Sequence, residues 1–108
     1  MADTLTGAGY LVTTSLAAGL TAGASETITL IGVTIANVHA TDACWVTAHI
    51  NRTGAGVDTE LCHELSIPVN DSLDLLQGKV VLNSSDAIEF QAEANSKLEA
   101  TLSYLVQT

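Results

Sequence analysis

Three histidines are the side chains best suited to bind a metal ion or to exchange a proton near neutral pH. They are His39, His49 and His63, and the strand pattern predicts that His49 and His63 lie on adjacent strands. None of them belongs to a His-x-His, His-Glu-x-x-His or Cys-x-x-Cys spacing, which are the spacings that metal sites use. We therefore expect no metal site, and we interpret the three as ordinary strand or loop residues.

A second candidate for chemistry is the acidic group formed by Asp58, Glu60 and Glu64. Asp58 and Glu60 share one face of a strand, because side chains alternate with a period of two. A carboxylate pair that works as acid and base needs a cleft, an apolar wall and a platform for the substrate. The chain has only one Trp, one Phe and two Tyr to build such a platform. We expect a solvated acidic face.

Nucleophile and phosphate-binding motifs are also missing from the sequence. A serine nucleophile needs a strand-turn-helix elbow of the Gly-x-Ser-x-Gly type, and no such motif occurs. The Thr-Gly-Ala-Gly stretch at residues 53–56 lacks the lysine and the helix that follow in a phosphate-binding loop. The sequence therefore predicts a protein that is not an enzyme and that holds no cofactor.

The two cysteines give conflicting signals about their faces. Cys44 alternates with apolar residues, which predicts a core-facing thiol, whereas Cys62 alternates with Glu60 and Glu64, which predicts an outward one. A hairpin between the two strands places position 44 opposite position 62, yet residues directly opposite share a face. Either the register slips or the two thiols are not partners. An outward Cys62 is free to meet another subunit.

The elements that carry these residues are strands. Alternating apolar and polar residues predict about eight of them, separated by Gly, Asn, Asp and Ser turns. They cover residues 10–16, 26–38, 43–50, 60–67, 72–76, 79–82, 87–92 and 98–106. Gly32 interrupts one strand and predicts a bulge, and Pro68 closes another. The fold class expected is all-β, a jelly-roll-like β-sandwich of short antiparallel strands.

The predicted core consists of the apolar residues that alternate inward. They are Ile28, Leu30, Val33, Ile35, Val46, Ile50, Leu65, Ile67, Ile88, Phe90, Leu98 and Leu102. The chain of 108 residues is long enough for one domain. We assign residues 25–108 to the sandwich and residues 1–24, rich in Thr, Gly and Ala, to an extended N-terminal arm.

Charge excludes two classes of partner. The chain has twelve acidic and three basic residues, which gives a formal net charge of −9. Arg52, Lys79 and Lys97 are too few and too scattered to follow a phosphate backbone or an anionic membrane, so we expect neither nucleic-acid nor membrane binding. The N-terminus shows no signal peptide, so we expect synthesis in a cytoplasm. Charged residues are only 14% of the chain, which suits a surface that neighbours cover.

Several segments carry a resemblance to a known family. A Thr/Ser/Ala-rich stretch at 1–24 precedes the strand at 26–38, and the strand at 43–50, a glycine loop and the Leu-Ser-Ile-Pro-Val segment at 65–69 follow. Residues 80–88 are similar to the family's element of hydrophobic strand, Gly-Asp and Ile, and Leu102-Ser103-Tyr104 is close to its Ser-Tyr ending. The chain thus resembles the small β-sandwich virion proteins of tailed bacteriophages, which decorate capsids or coat necks, collars and tails.

This resemblance implies a structural virion protein that binds and stabilises the capsid, or sheathes the neck or tail, as a homo-oligomer among other phage structural proteins. In such a particle Cys62 is expected to form a disulfide with a neighbouring subunit, with Cys44 as its partner if that strand is inverted or lies at an edge. Two free thiols are the alternative. The alternative function is a carbohydrate- or receptor-binding module, in which an outward Trp45 would contact the ligand.

Overall fold

The computed structural model describes residues 3–52, 57–76 and 78–108, which form nine strands. They are β1 (Asp3–Leu11), β2 (Ala17–Thr21), β3 (Thr27–Asn37), β4 (Cys44–Asn51), β5 (Thr59–Ile67), β6 (Ser72–Asp74), β7 (Val80–Leu82), β8 (Ala87–Ala92) and β9 (Leu98–Gln107). The predicted glycine loop at 53–56 lies outside the described residues. No helix in the described part of the chain is long and apolar enough to cross a membrane.

The strands pair antiparallel in two sheets. Sheet A has the order β1-β9-β3-β6, with β7 also paired to β3, and sheet B has the order β2-β8-β4-β5. β6 and β7 pair with β3 at residues 34–36 and 28–30, so they act as one interrupted strand. Counted in that way, the eight strands have the order 1-8-3-6 and 2-7-4-5, which is the connectivity of a jelly roll. The predicted fold class is confirmed.

The core lies between the sheets and is filled by alternate residues of the strands. Eleven of the twelve predicted core residues are buried. The prediction is wrong only for Leu65, which has 39% of its surface exposed. Leu65 lies opposite the buried Val46, but β5 is an edge strand and leaves it partly uncovered. Val12 and Ala22, which the sequence analysis did not assign to the core, are also buried.

The bulge predicted at Gly32 is confirmed. The register of β3 against β9 shifts between Leu30 and Gly32, which leaves Ile31 as the extra residue. β5 carries two further irregularities against β4, and Glu64 adopts a positive φ of 49° at one of them. Each extra residue reverses the alternation of inward and outward side chains beyond it.

The predicted N-terminal arm is wrong for the residues that the structure describes. β1 pairs with β9 along all nine of its residues, and β2 pairs with β8, so both belong to the sheets. Residues 16–23 include Gly19 and Gly23, and glycines within a segment favour a loop over a strand. Gly19 is in fact required there, since a Cβ at this position would lie 2.8 Å from the buried Phe90 ring.

Candidate interaction surfaces

The outer face of sheet A carries few charged side chains, and all of them are acidic. Its residues follow from the strand register, because residues directly opposite share a face. They are Asp3, Leu5, Gly7, Gly9 and Leu11 of β1; Glu99, Thr101, Ser103, Leu105 and Gln107 of β9; Thr27, Thr29, Gly32, Thr34 and Ala36 of β3; and Ser72, Asp74 and Val81. Among these described residues there are three carboxylates and no cation.

Apolar side chains form a row across this face. Leu5 lies opposite Leu105, Leu105 opposite Thr29, and Thr29 opposite Val81, so the row crosses four strands. Leu5 is 72% exposed and Val81 is 43% exposed, and Ile31 at the bulge is 44% exposed. Contiguous exposed apolar residues of this kind mark surfaces that contact another molecule.

Glycines make part of the face concave. A depression of about 290 Å³ is lined by Gly9, Tyr10, Leu11, Glu99, Ala100 and Thr101. A Cβ added at Gly9 would have no neighbouring atom within 4 Å, so the space beside it is open. The depression has no histidine or cysteine in its lining, and Glu99 is its only titratable carboxylate. The depression can accept an apolar side chain, and the ionisable residues that line it are Glu99 and Tyr10.

The outer face of sheet B is polar and internally bonded. His49 Nε2 lies 2.7 Å from Glu89 Oε1, and both side chains are only 18% exposed. Trp45, on the same side of β4, is partly exposed, and its backbone N–H donates to Glu93 Oε1 over 3.3 Å. The predicted ligand-contact residue Trp45 is therefore accessible on one part of its surface, beside a carboxylate.

The acidic group lies at the edge formed by β5. Asp58, Glu60 and Glu64 are exposed. His63 Nδ1 lies 3.0 Å from Glu60 Oε2, and His63 Nε2 lies 3.7 Å from Glu64 Oε2. The hydrogen bond and the charge of Glu60 raise the pKa of His63. This edge is charged and exposed to solvent.

The predicted core-facing position of Cys44 is confirmed, whereas the predicted outward position of Cys62 is wrong. Cys44 lies opposite Ile67, and Cys62 lies opposite the buried Ala48, because the bulge in β5 reverses the alternation that predicted an outward Cys62. Cys62 is partly buried and packs against the core, its Sγ donates to the Val46 carbonyl over 3.5 Å, and burial raises its pKa. Cys44 is fully buried. Both thiols are free in the single chain, and Cys44 is out of reach of another subunit.

The three histidines lie in separate places. His49 is on the outer face of sheet B, His63 is on the β5 edge, and His39 Nδ1 accepts backbone hydrogen bonds from Thr41 and Asp42. Within residues 3–52, 57–76 and 78–108, no three His, Cys, Asp or Glu side chains form a group that could hold a metal ion.

Neither a protein-family model nor a curated protein sequence matches this chain.

Proposed function

We propose that the chain is a non-enzymatic structural protein of a tailed-phage particle, where many copies bind and stabilise the capsid or sheathe the neck or tail. The observation that carries the proposal is the outer face of sheet A. A free monomer usually presents interspersed charges of both signs on such a face. Here five strands present mainly Gly, Thr, Ser, Leu and Val, with three carboxylates and no cation among the described residues.

The charge distribution supports an assembly of many copies. A chain of net charge −9 repels its own copies at close range. Contact through the outer face of sheet A brings only three of the twelve carboxylates of each chain to the interface. Charged residues are depleted from the centres of protein interfaces for the same reason.

The fold is compatible with this function and with others. Jelly rolls form viral capsid proteins, lectin domains and cupins, so the fold alone does not select among them. The resemblance of the sequence to phage virion proteins favours a structural role in a virus particle over the other two classes.

A carbohydrate- or receptor-binding module is the second candidate, and the partly exposed Trp45 beside Glu93 favours it. Aromatic rings supply apolar contact in ligand sites, and nearby carboxylates fix orientation. Because Trp45 is the only tryptophan, its fluorescence reports on its own surroundings without interference. A saturable change in emission on titration with glycans, absent in the Trp45→Phe variant, would support this candidate.

The proposed structural role is tested by removing the chain from the particles and then adding purified chain back. Particles that lack the gene are compared with complete particles for survival of heat and of chelating agents. We expect the deficient particles to be less stable, and purified chain to bind them at a fixed, high number of copies and restore their stability. Deficient particles that neither change in stability nor bind the added chain would overturn the proposal.

A further inference from the structure

The two sheets have four exposed edges, and three of them are protected against pairing. β2 is five residues long and has a register shift, and β6 and β7 are three residues each. β5 has two irregularities and carries Glu60 and Glu64. Short strands, bulges and charges are the devices by which proteins prevent pairing between sheet edges.

The fourth edge, β1, has none of these devices. It is nine residues long, pairs with β9 without a register shift, and contains no Pro, Lys or Arg. Its only charge is Asp3 at its first position. The alternate backbone N–H and C=O groups on its free side form a regular template for another strand.

We propose that β1 pairs antiparallel with β1 of a second copy, with the two-fold axis at Gly7. A full overlap of the two nine-residue strands places position 3 opposite 11, 5 opposite 9, and 7 opposite 7. The pair is isologous, so every contact occurs twice. The two A sheets then form one continuous sheet across the dimer.

The side chains of β1 are self-complementary in this register. On the outer face Leu5 meets Gly9 of the second copy, and on the inner side Thr6 meets Ala8. Each pair thus places a larger residue opposite a smaller one, so the side chains fit without a clash. The exposed Leu5 of one copy also faces the depression beside Gly9 of the other copy. A Cβ added at Gly9 would have no atom within 4 Å, so this space is open. The two-fold axis therefore places the projecting Leu5 side chain of each copy at the open space beside Gly9 of the other copy.

The charges also permit this register. Asp3 lies opposite Leu11 of the second copy, eight positions from the other Asp3. At ~3.3 Å per residue the two carboxylates are roughly 26 Å apart along the strands. This exceeds the Debye length of ~8 Å at physiological salt, so their repulsion is screened. The remaining repulsion between two chains of −9 predicts that added salt tightens the dimer.

This inference rests on the proposed function in one respect, since it names how copies of a multimeric protein join. The two are tested separately, because strand pairing is measured on purified chain and the particle role on particles. A chain that binds particles without pairing through β1 would overturn only the inference.

Register-specific disulfide cross-linking tests the proposed pairing of β1 with β1. The variants carry Cys62→Ser, and the buried Cys44 is left in place. Opposite residues of antiparallel strands have Cα atoms ~4.5–5.5 Å apart, within disulfide range. Gly7→Cys is therefore expected to form a reducible dimer under mild oxidation, and a Cβ there meets only the Leu102 carbonyl oxygen at 3.8 Å. Leu5→Cys alone is expected to stay monomeric but to link to Gly9→Cys in a mixture.

Failure of Gly7→Cys to cross-link at any concentration, or equal cross-linking of Gly7→Cys and Leu5→Cys alone, would overturn the proposal. A second measurement compares Leu5→Lys with its matched control Val81→Lys by sedimentation equilibrium. Both add a cation to an exposed apolar position of the same face, but Val81 lies at the opposite edge. We expect Leu5→Lys to weaken dimerisation roughly tenfold or more, about 1.4 kcal/mol, and Val81→Lys to leave it unchanged. The reverse order would contradict pairing through β1.

Discussion

The Asn37 side-chain amide donates a hydrogen bond of 2.9 Å to the backbone carbonyl of Ile67, and this bond joins the two sheets. Asn37 is the last residue of β3 in sheet A, and Ile67 is the last residue of β5 in sheet B. The same amide donates to the Asp42 carbonyl, and Asn37 Oδ1 accepts from the His39 N–H. A buried polar side chain in this position is stable only because all its groups are bonded.

We expect Asn37→Ala to lower the free energy of unfolding by at least ~2 kcal/mol, because the buried Ile67 carbonyl then lacks its donor. Asn95→Ala is the matched control, since the Asn95 side chain bonds the Thr14 N–H at an exposed position. The control should lower stability by less than ~1 kcal/mol. Urea unfolding of both variants measures the difference, and equal losses would contradict this role for Asn37.

A partly buried ion pair, whose carboxylate is almost fully buried, holds the end of β4 to the turn before β8. Arg52 Nη1 lies 2.8 Å from Asp86 Oδ2 and also donates to the Val81 carbonyl, and Asp86 Oδ2 accepts from the Asn83 N–H. We expect Asp86→Asn to destabilise the fold by about 3 kcal/mol, because it leaves the Arg52 charge without its partner.

The control for Asp86→Asn is Asp42→Asn, which removes the exposed ion pair with Lys97, whose N–O distance is 3.3 Å. Exposed pairs contribute ~1 kcal/mol or less. Thermal unfolding compares the two variants, and a loss for Asp42→Asn as large as that for Asp86→Asn would show that burial of the pair has no effect.

The raised pKa of His63 gives a pH dependence. Glu60 favours the protonated imidazole, so the stabilisation is fully present below the unfolded pKa and is lost as the pH rises through the higher folded pKa. We expect an NMR titration of His63 to give a midpoint above its ordinary value of 6.5, and Glu60→Gln to lower that midpoint. An unchanged midpoint in Glu60→Gln would show that Glu60 does not cause the shift.

Thiol labelling tests the corrected cysteine positions. We expect Cys44 to react only when the chain unfolds, because it is fully buried, and Cys62 to react slowly with an onset at raised pH, because burial raises its pKa. Cys44→Ala and Cys62→Ser distinguish the two signals. Rapid labelling of Cys62 at neutral pH would contradict its burial and would support the outward position that the sequence predicted.

The regular part of the fold could be predicted from the sequence. The strands at 43–50, 87–92 and 98–106 alternate without interruption, and the strand at 26–38 alternates on either side of its bulge, so their faces and core residues follow from the period of two. The bulge at Gly32 was also recognisable, because a glycine broke the alternation at that point.

The irregular part could not be predicted, for reasons that lie outside local sequence. Nothing in residues 59–67 marks the bulge, since the residue with positive φ is Glu64 and its N–H is held by Thr47 Oγ1 from the neighbouring strand. β1 and β2 alternate small residues that carry little apolar signal, and they become strands only by pairing with β9 and β8. The outer face of sheet A, which has carboxylates but no cation among its described residues, is built from five separate strands, so its composition became visible only with the strand register.

The most direct test of the proposed function is the number of copies of this chain in purified particles. Density-gradient particles from cells that carry the gene are digested, and the peptides are quantified against a labelled standard and against the major capsid protein. The proposal predicts a fixed ratio of many copies per particle that survives high-salt washing. Particles that are free of the chain, with all of it in the soluble fraction, would contradict the proposal.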